Sequence, residues 1–509
     1  MVISMTRVYI HLVNIVTKME IATLARQNPW WSDPARIGDD FVLATMASQP
    51  IRWTPRLLRR FQFGRDRVYT LRGPRQVGKT TSIKQIIRRL IESDSVDPRS
   101  VLYFSCDLLR GAEDLDDLVE TYLRWQAPFR LPRRHLFLDE VSSVRDWSIG
   151  IRGLANRGRL RDASVVLTGS HALDVTRQVE RLPGRRGESA EADSDDLLDK
   201  VLLPMKFAEY AETVRPEVRS RLEALRMLES RRRAEVVEAV YAGRPTEAWS
   251  ALQLLADDLK PLLADYLLTG GFPRPLNDLR KAGRIPAETY DLYVRALTGD
   301  LARWGHDERT ARELLAGVVE KLGTPVSWRA LADETDVGSH NTVAKYVGDL
   351  ERTFTLQTVY QIDRRRGRPA PKKERKVYVA DPFLFHAVRA WALGLGDAFE
   401  AAREFLSDPA RRGLLLEAVV ADPLARLAFA MKPRSVFDAY EHVMFWRNRK
   451  GWEVDFVLRG DGRPKAFQVT ATRPRGETFR ALTSFGGGLV LTEGGEGESV
   501  PLPVFLLLV

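Results

Sequence analysis

One stretch constrains this chain more than any other. Gly73-Pro74-Arg75-Gln76-Val77-Gly78-Lys79-Thr80, followed by Thr81, spaces two glycines, a lysine and a hydroxyl as G-x-x-x-x-G-K-T. That spacing has a physical reason. The glycines let successive backbone N–H groups turn toward one centre and cradle a polyphosphate, the lysine reaches its outer oxygens, and the hydroxyl ligates Mg²⁺. A helix beginning at the lysine adds the positive end of its dipole. The flanks agree: Arg67 to Leu71 reads as a buried strand, and Ile83, Ile86, Ile87, Leu90 and Ile91 recur at helical spacing. A glycine-rich turn before an ordinary helix is the competing explanation. The order strand, loop, helix favours phosphate binding by residues 73–81.

Strand-like runs at 67–71, 101–106, 134–139 and 164–168 alternate with amphipathic helical patterns between about 51 and 215. Such alternation implies an α/β unit with a parallel sheet covered on both faces. The third run, His135-Leu136-Phe137-Leu138-Asp139-Glu140, ends in two acids. A carboxylate at the C-terminal end of such a strand lies beside the phosphate loop, where open α/β sheets bind ligands. Asp139 is therefore expected to hold Mg²⁺ together with Thr80. Glu140 is expected to take the proton of the attacking water, with Lys79 clamping phosphate.

Composition bounds the rest. A chain of 509 residues has room for about three domains. Its charge of +10 and pI near 9.6 suit a polyanionic partner without demanding one. Cys106 is the one cysteine, which excludes an intrachain disulfide and a thiolate metal cluster and fits a reducing cytoplasm. No run approaches a membrane span, so a membrane partner is not expected; the apolar tail Pro501 to Val509 reads as a buried strand. Residues 1–50, with Asn28-Pro29-Trp30-Trp31, read as an arm packed on the core at 51–215. Met5 and Met19 are alternative starts.

Residues 216–310 are helical by pattern and read as a lid. Thr269-Gly270-Gly271-Phe272-Pro273 ends one of its helices, with chain reversal and packing as its expected role. Between 311 and 380 a helix-turn-helix is legible: a short helix from Trp328, a turn at Val337-Gly338-Ser339-His340, and a second helix over 341–350. Two strands, 354–362 and 377–379, would form a wing around the basic run 364–376. Nucleic acid is the expected partner of 339–350 and 364–376, since dense positive charge neutralises phosphates. Docking to protein, including a second copy of the chain, is the alternative.

Together with Phe137 to Val141, Trp147, Thr168-Gly169-Ser170, Leu182-Pro183-Gly184-Arg185-Arg186 and Leu203 to Tyr210, the phosphate loop resembles prokaryotic AAA+-type ATPases that carry a C-terminal domain of unknown function. The resemblance runs over nearly the whole chain. It implies ATP as the nucleotide and a P-loop fold with an additional strand. It also implies a γ-phosphate sensor at Thr168 or Ser170, the choice left open, and a finger arginine at Arg185, with Arg186 beside it. Residues 381–509 resemble the PD-(D/E)xK nuclease fold, an α/β restriction-endonuclease-like domain, with Glu417 on its first helix and Asp455 on the second strand of the hairpin. The third-strand acid and lysine of that pattern are replaced by Gln468 and Thr470, so cleavage is expected to be weak or absent. Two functions follow: an ATPase that couples nucleotide state to movement of its C-terminal modules, or a nucleotide-gated DNA-binding regulator with slow turnover.

Overall fold

The computed structural model describes residues 19–64, 66–169, 197–335, 337–431, 438–460, 463–471, 476–495 and 497–509. They form two compact units. The first holds the described residues up to Met46, Thr54–Arg72 and Lys79–Val201; the second holds Ala47–Trp53, Gly73–Gly78 and Leu202–Val509.

The first unit is built on a parallel sheet of β1 (Arg67–Arg72), β2 (Val101–Ser105), β3 (Arg134–Asp139), β4 (Ala163–Gly169) and β5 (Asp199–Val201), in the order β2-β3-β4-β1-β5. Every neighbouring pair is parallel. Strand β4 is inserted between β3 and β1, the additional strand expected from the resemblance. Its residues are buried throughout, as a strand covered on both faces requires. Helices Lys79–Glu92, Ala112–Gln126 and Trp147–Asn156 connect the strands. The four expected strands appear with ends shifted by one residue at most. Strand β5 was not expected: Asp199-Lys200-Val201 has no apolar run, and it is a strand because Thr70, Leu71 and Arg72 offer it a parallel edge.

The arm covers the opposite edge. The Asn28 side chain accepts from the Tyr103 N–H at 2.6 Å and donates to its carbonyl at 2.8 Å, as a neighbouring strand would, and Gln27 accepts from the Ser105 N–H. Both Trp30 and Trp31 donate their indole N–H to the Val101 carbonyl, and Trp31 stacks on Trp125. An exposed row of β2 polar groups is thereby satisfied.

The second unit begins with helices from Phe207–Val214 to Glu308–Glu320, followed by two more, Trp328–Asp333 and His340–Arg352, the latter capped by Ser339. Gly270 and Gly271 leave no room for a side chain. A Cβ on Gly270 would lie 2.0 Å from Asp381 Oδ1, and one on Gly271 would lie 2.0 Å from the Met205 carbonyl oxygen. The wing strands, β6 (Leu356–Asp363), β7 (Arg368–Pro369) and β8 (Arg375–Val379), do not form a sheet of their own. β6 pairs parallel with β9 (Val443–Arg447), so the wing continues into a sheet that runs on through β10 (Glu453–Leu458), β11 (Lys465–Thr470), β12 (Leu489–Thr492) and β13 (Val500–Pro501).

Two expectations are corrected here. The tail is a helix, Leu502–Leu508, not a strand. A short apolar run buried on every side carries no period that separates the two forms, and the early Pro503 presets the first helical turn. The basic run 364–376 is also not uniformly a surface loop. Arg364, Arg365, Arg366, Arg368, Lys372 and Lys373 are exposed, but Arg375 and Lys376 belong to β8 and are buried.

Candidate active site

In the first unit, β3 ends at Asp139 and the chain reverses through Glu140, which adopts a left-handed conformation (φ 51°) that a non-glycine residue takes only under local constraint. The constraint is visible. The Glu140 N–H donates to Thr168 Oγ1 at 2.7 Å, and the Thr168 hydroxyl donates to Asp139 Oδ1. Asp139, itself buried, accepts two further hydroxyls: Thr80 Oγ1 at 2.7 Å and the Tyr103 phenol at 3.2 Å. The Glu140 carboxylate lies 3.6 Å from the Lys79 ammonium. Lys79, Thr80, Asp139, Glu140 and Thr168, scattered over ninety residues of sequence, thus meet at the C-terminal ends of two strands and the start of one helix.

Two members of this network carried no sequence signal. Tyr103 faces Asp139 from β2; burial and then the neighbouring carboxylate push its phenol above the ordinary range, so it stays a neutral donor. Lys84 stands 3.4 Å above the Tyr103 ring and 3.0 Å from Asp40. Burial lowers its pKa, against the pull of Asp40.

The loop residues Gly73–Gly78 group with the second unit. Gly73 could not be replaced, since a Cβ there would meet the Leu202 carbonyl oxygen at 2.0 Å, and Gly78 (φ 99°) and Gln76 (φ 63°) supply the left-handed turns that bring N–H groups to one side. The Arg75 guanidinium is held by Asp300 at 2.7 Å. Pro74 and Val77 complete the loop, and Thr81 lies on the helix that follows. The remaining candidates, Ser170, Arg185 and Arg186, lie outside the described residues.

In the second unit Glu417 and Asp455 both lie against Lys376, and Gln468 lies against Asp455. The Gln468 amide donates to Asp455 Oδ2 at 2.6 Å. A lysine is present too, but not on the expected strand: Lys376 reaches the acids from β8. Sequence spacing within 381–509 could not reveal it, because β8 precedes that segment. Burial and the neighbouring Asp455 raise Glu417 to about 7, and the Tyr378 phenol donates to it.

Comparison with known proteins agrees with this geometry. Residues 65–211 match the family model of an AAA domain, and residues 260–397 match that of a domain of unknown function (DUF8612). No curated protein matches in sequence. Among solved structures, the Aeropyrum pernix Orc1 protein in complex with DNA matches at 15% identity, over 72% of this chain and 98% of that one. Its TM-score of 0.26 is too low for a shared overall fold to be read from it. Among the described residues no helix is long and apolar enough to cross a membrane.

Proposed function

We propose that the protein binds ATP with Mg²⁺ and hydrolyses it, and that the nucleotide state governs its C-terminal modules. The observation that carries this is the chain of hydroxyls and carboxylates from Thr80 to Glu140, centred on the buried Asp139 and Thr168. Thr80 and Asp139 present oxygen donors at the helix start, a set that suits a hard divalent cation. When bound, Mg²⁺ supplies charge stabilisation to the phosphate oxygens.

The protein's own groups do the remainder. Lys79 exchanges its contact with Glu140 for phosphate oxygens. This releases the Glu140 carboxylate to orient water and accept its proton. Thr168, fully buried with its hydroxyl committed to Asp139 and Glu140, acts as a positioning residue for both acids. Arg185 is proposed as the arginine that faces developing charge on the γ-phosphate, and Ser170 as the remaining candidate sensor. The test is Glu140→Gln: nucleotide binding should persist while turnover falls by roughly 10²-fold or more. Unchanged turnover would remove the assignment.

A second reading, a nucleotide-gated DNA-binding regulator, is favoured by the capped helix His340–Arg352 and the six exposed basic residues of the wing. Turnover stimulated by duplex DNA supports the first reading. Negligible turnover with ATP-dependent, salt-sensitive DNA affinity supports the second.

A further inference from the structure

Within the second unit, three carboxylates from two elements close on one ammonium. Lys376 Nζ lies 2.7 Å from Glu417 Oε1, 2.6 Å from Glu453 Oε1 and 3.2 Å from Asp455 Oδ1, and its side chain is wholly buried. Glu453 and Asp455 stand two apart on β10 and so share a face of the sheet, while Glu417 approaches from the helix Pro409–Met431. An ammonium has three protons to donate, and here each has a carboxylate to receive it.

The cluster holds more negative charge than the lysine cancels. Arg447 stands 3.8 Å from Glu453 and adds one further positive group, against three acids in all. Around the same focus, Gln468 holds Asp455 through its amide nitrogen, while its Oε1 is buried with no hydrogen-bond partner. Three carboxyl groups and a spare amide oxygen, drawn from a helix and two strands, make an all-oxygen donor set. That is the chemistry that binds Mg²⁺ or Mn²⁺. Among the described residues no group of three or more acidic, histidine or cysteine side chains stands ready to hold a metal ion. At this cluster a cation, the Lys376 ammonium, already lies among the carboxylates.

We propose that this cluster is a divalent-cation site filled by the chain's own lysine: the Lys376 ammonium occupies the place of the metal, and its removal opens the site to Mg²⁺ or Mn²⁺. Burial makes the substitution durable. Removing either side of a buried ion pair leaves the other uncompensated, so acids and lysine hold one another in place.

The experiment measures Mn²⁺ bound per full-length chain, without nucleotide, by equilibrium dialysis for wild type, Lys376→Ala and Lys376→Ala with Asp455→Asn. Lys376→Ala should hold about one equivalent more than wild type, and Asp455→Asn should abolish that gain. Mn²⁺ should also raise the melting temperature of Lys376→Ala by several degrees while leaving that of Asp455→Asn in the same background unmoved. A folded Lys376→Ala protein with no extra Mn²⁺, or with a gain indifferent to Asp455→Asn, overturns the proposal. Lys376→Met, which keeps the apolar stem, serves if the alanine variant does not fold. Should neither fold, wild type and Asp455→Asn decide it: equal Mn²⁺ uptake supports a lysine-filled site, and an equivalent lost with Asp455 refutes it.

Discussion

Replacing Thr168 by valine tests whether one buried hydroxyl sets the geometry of Asp139 and Glu140, the two acids of the proposed site. Valine keeps the shape and suits a strand, so β4 should form unchanged. Two bonds vanish: the one Thr168 donates to Asp139 and the one it accepts from the Glu140 N–H. A hydrogen bond to a charged group contributes about 1.5–3 kcal/mol, and a buried N–H left without a partner costs about 1–3 kcal/mol. Thr168 is fully buried, so water does not substitute. The two together set a loss of about 2.5–6 kcal/mol for the first unit in urea, toward the lower end because the Glu140 N–H is only half-buried. Glu140, freed from its left-handed turn, should drift from the water it orients, and turnover should fall roughly 10- to 100-fold with ATP affinity nearly kept. Thr168→Ser retains both bonds and should restore turnover. Wild-type turnover and stability in Thr168→Val would refute the reasoning.

Gly271→Ala would place a methyl 2.0 Å from the Met205 carbonyl oxygen and should destabilise the second unit by about 3–5 kcal/mol, read from urea midpoints. Asp381, which accepts N–H groups from Gly271, Phe383 and Leu384, is raised by burial to about 7. The folded protein therefore keeps this proton where the unfolded chain has lost it, and the group's contribution is full below about pH 4 and lost as pH rises toward about 7. His386, lowered to about 4 by burial, contributes the opposite slope, so the informative quantity is a difference. The stability margin of wild type over Asp381→Asn should shrink as pH rises from about 4 to 7, and a margin constant with pH would contradict the assignment.

The parallel core was legible because buried strands and amphipathic helices leave runs and periods that survive in one dimension. So was the phosphate loop, whose spacing is local. What escaped was set by tertiary contact. β5 borrows its structure from the edge of β1; Tyr103 acts through a position on β2 that any apolar residue could fill; and Leu502–Leu508 is helical within a run that reads equally as strand. Lys376 is the clearest case. Within the sequence it belongs to a basic run, and only the pairing of β8 with β6, and β6 with β9, carries it to Glu417 and Asp455. Gly270 and Gly271 looked like an ordinary turn, but Asp381 and Met205 approach them from distant segments.

The central claim is that the residues gathered at Lys79 and Asp139 receive the phosphates of ATP with a divalent cation. Equilibrium binding of labelled ATP with and without Mg²⁺, for wild type and Lys79→Ala, tests it most directly. The account predicts Mg²⁺-dependent binding by wild type that weakens at least tenfold in Lys79→Ala, in keeping with the loss of a charged phosphate contact. Binding of equal strength in the two proteins, or none by wild type, would contradict it.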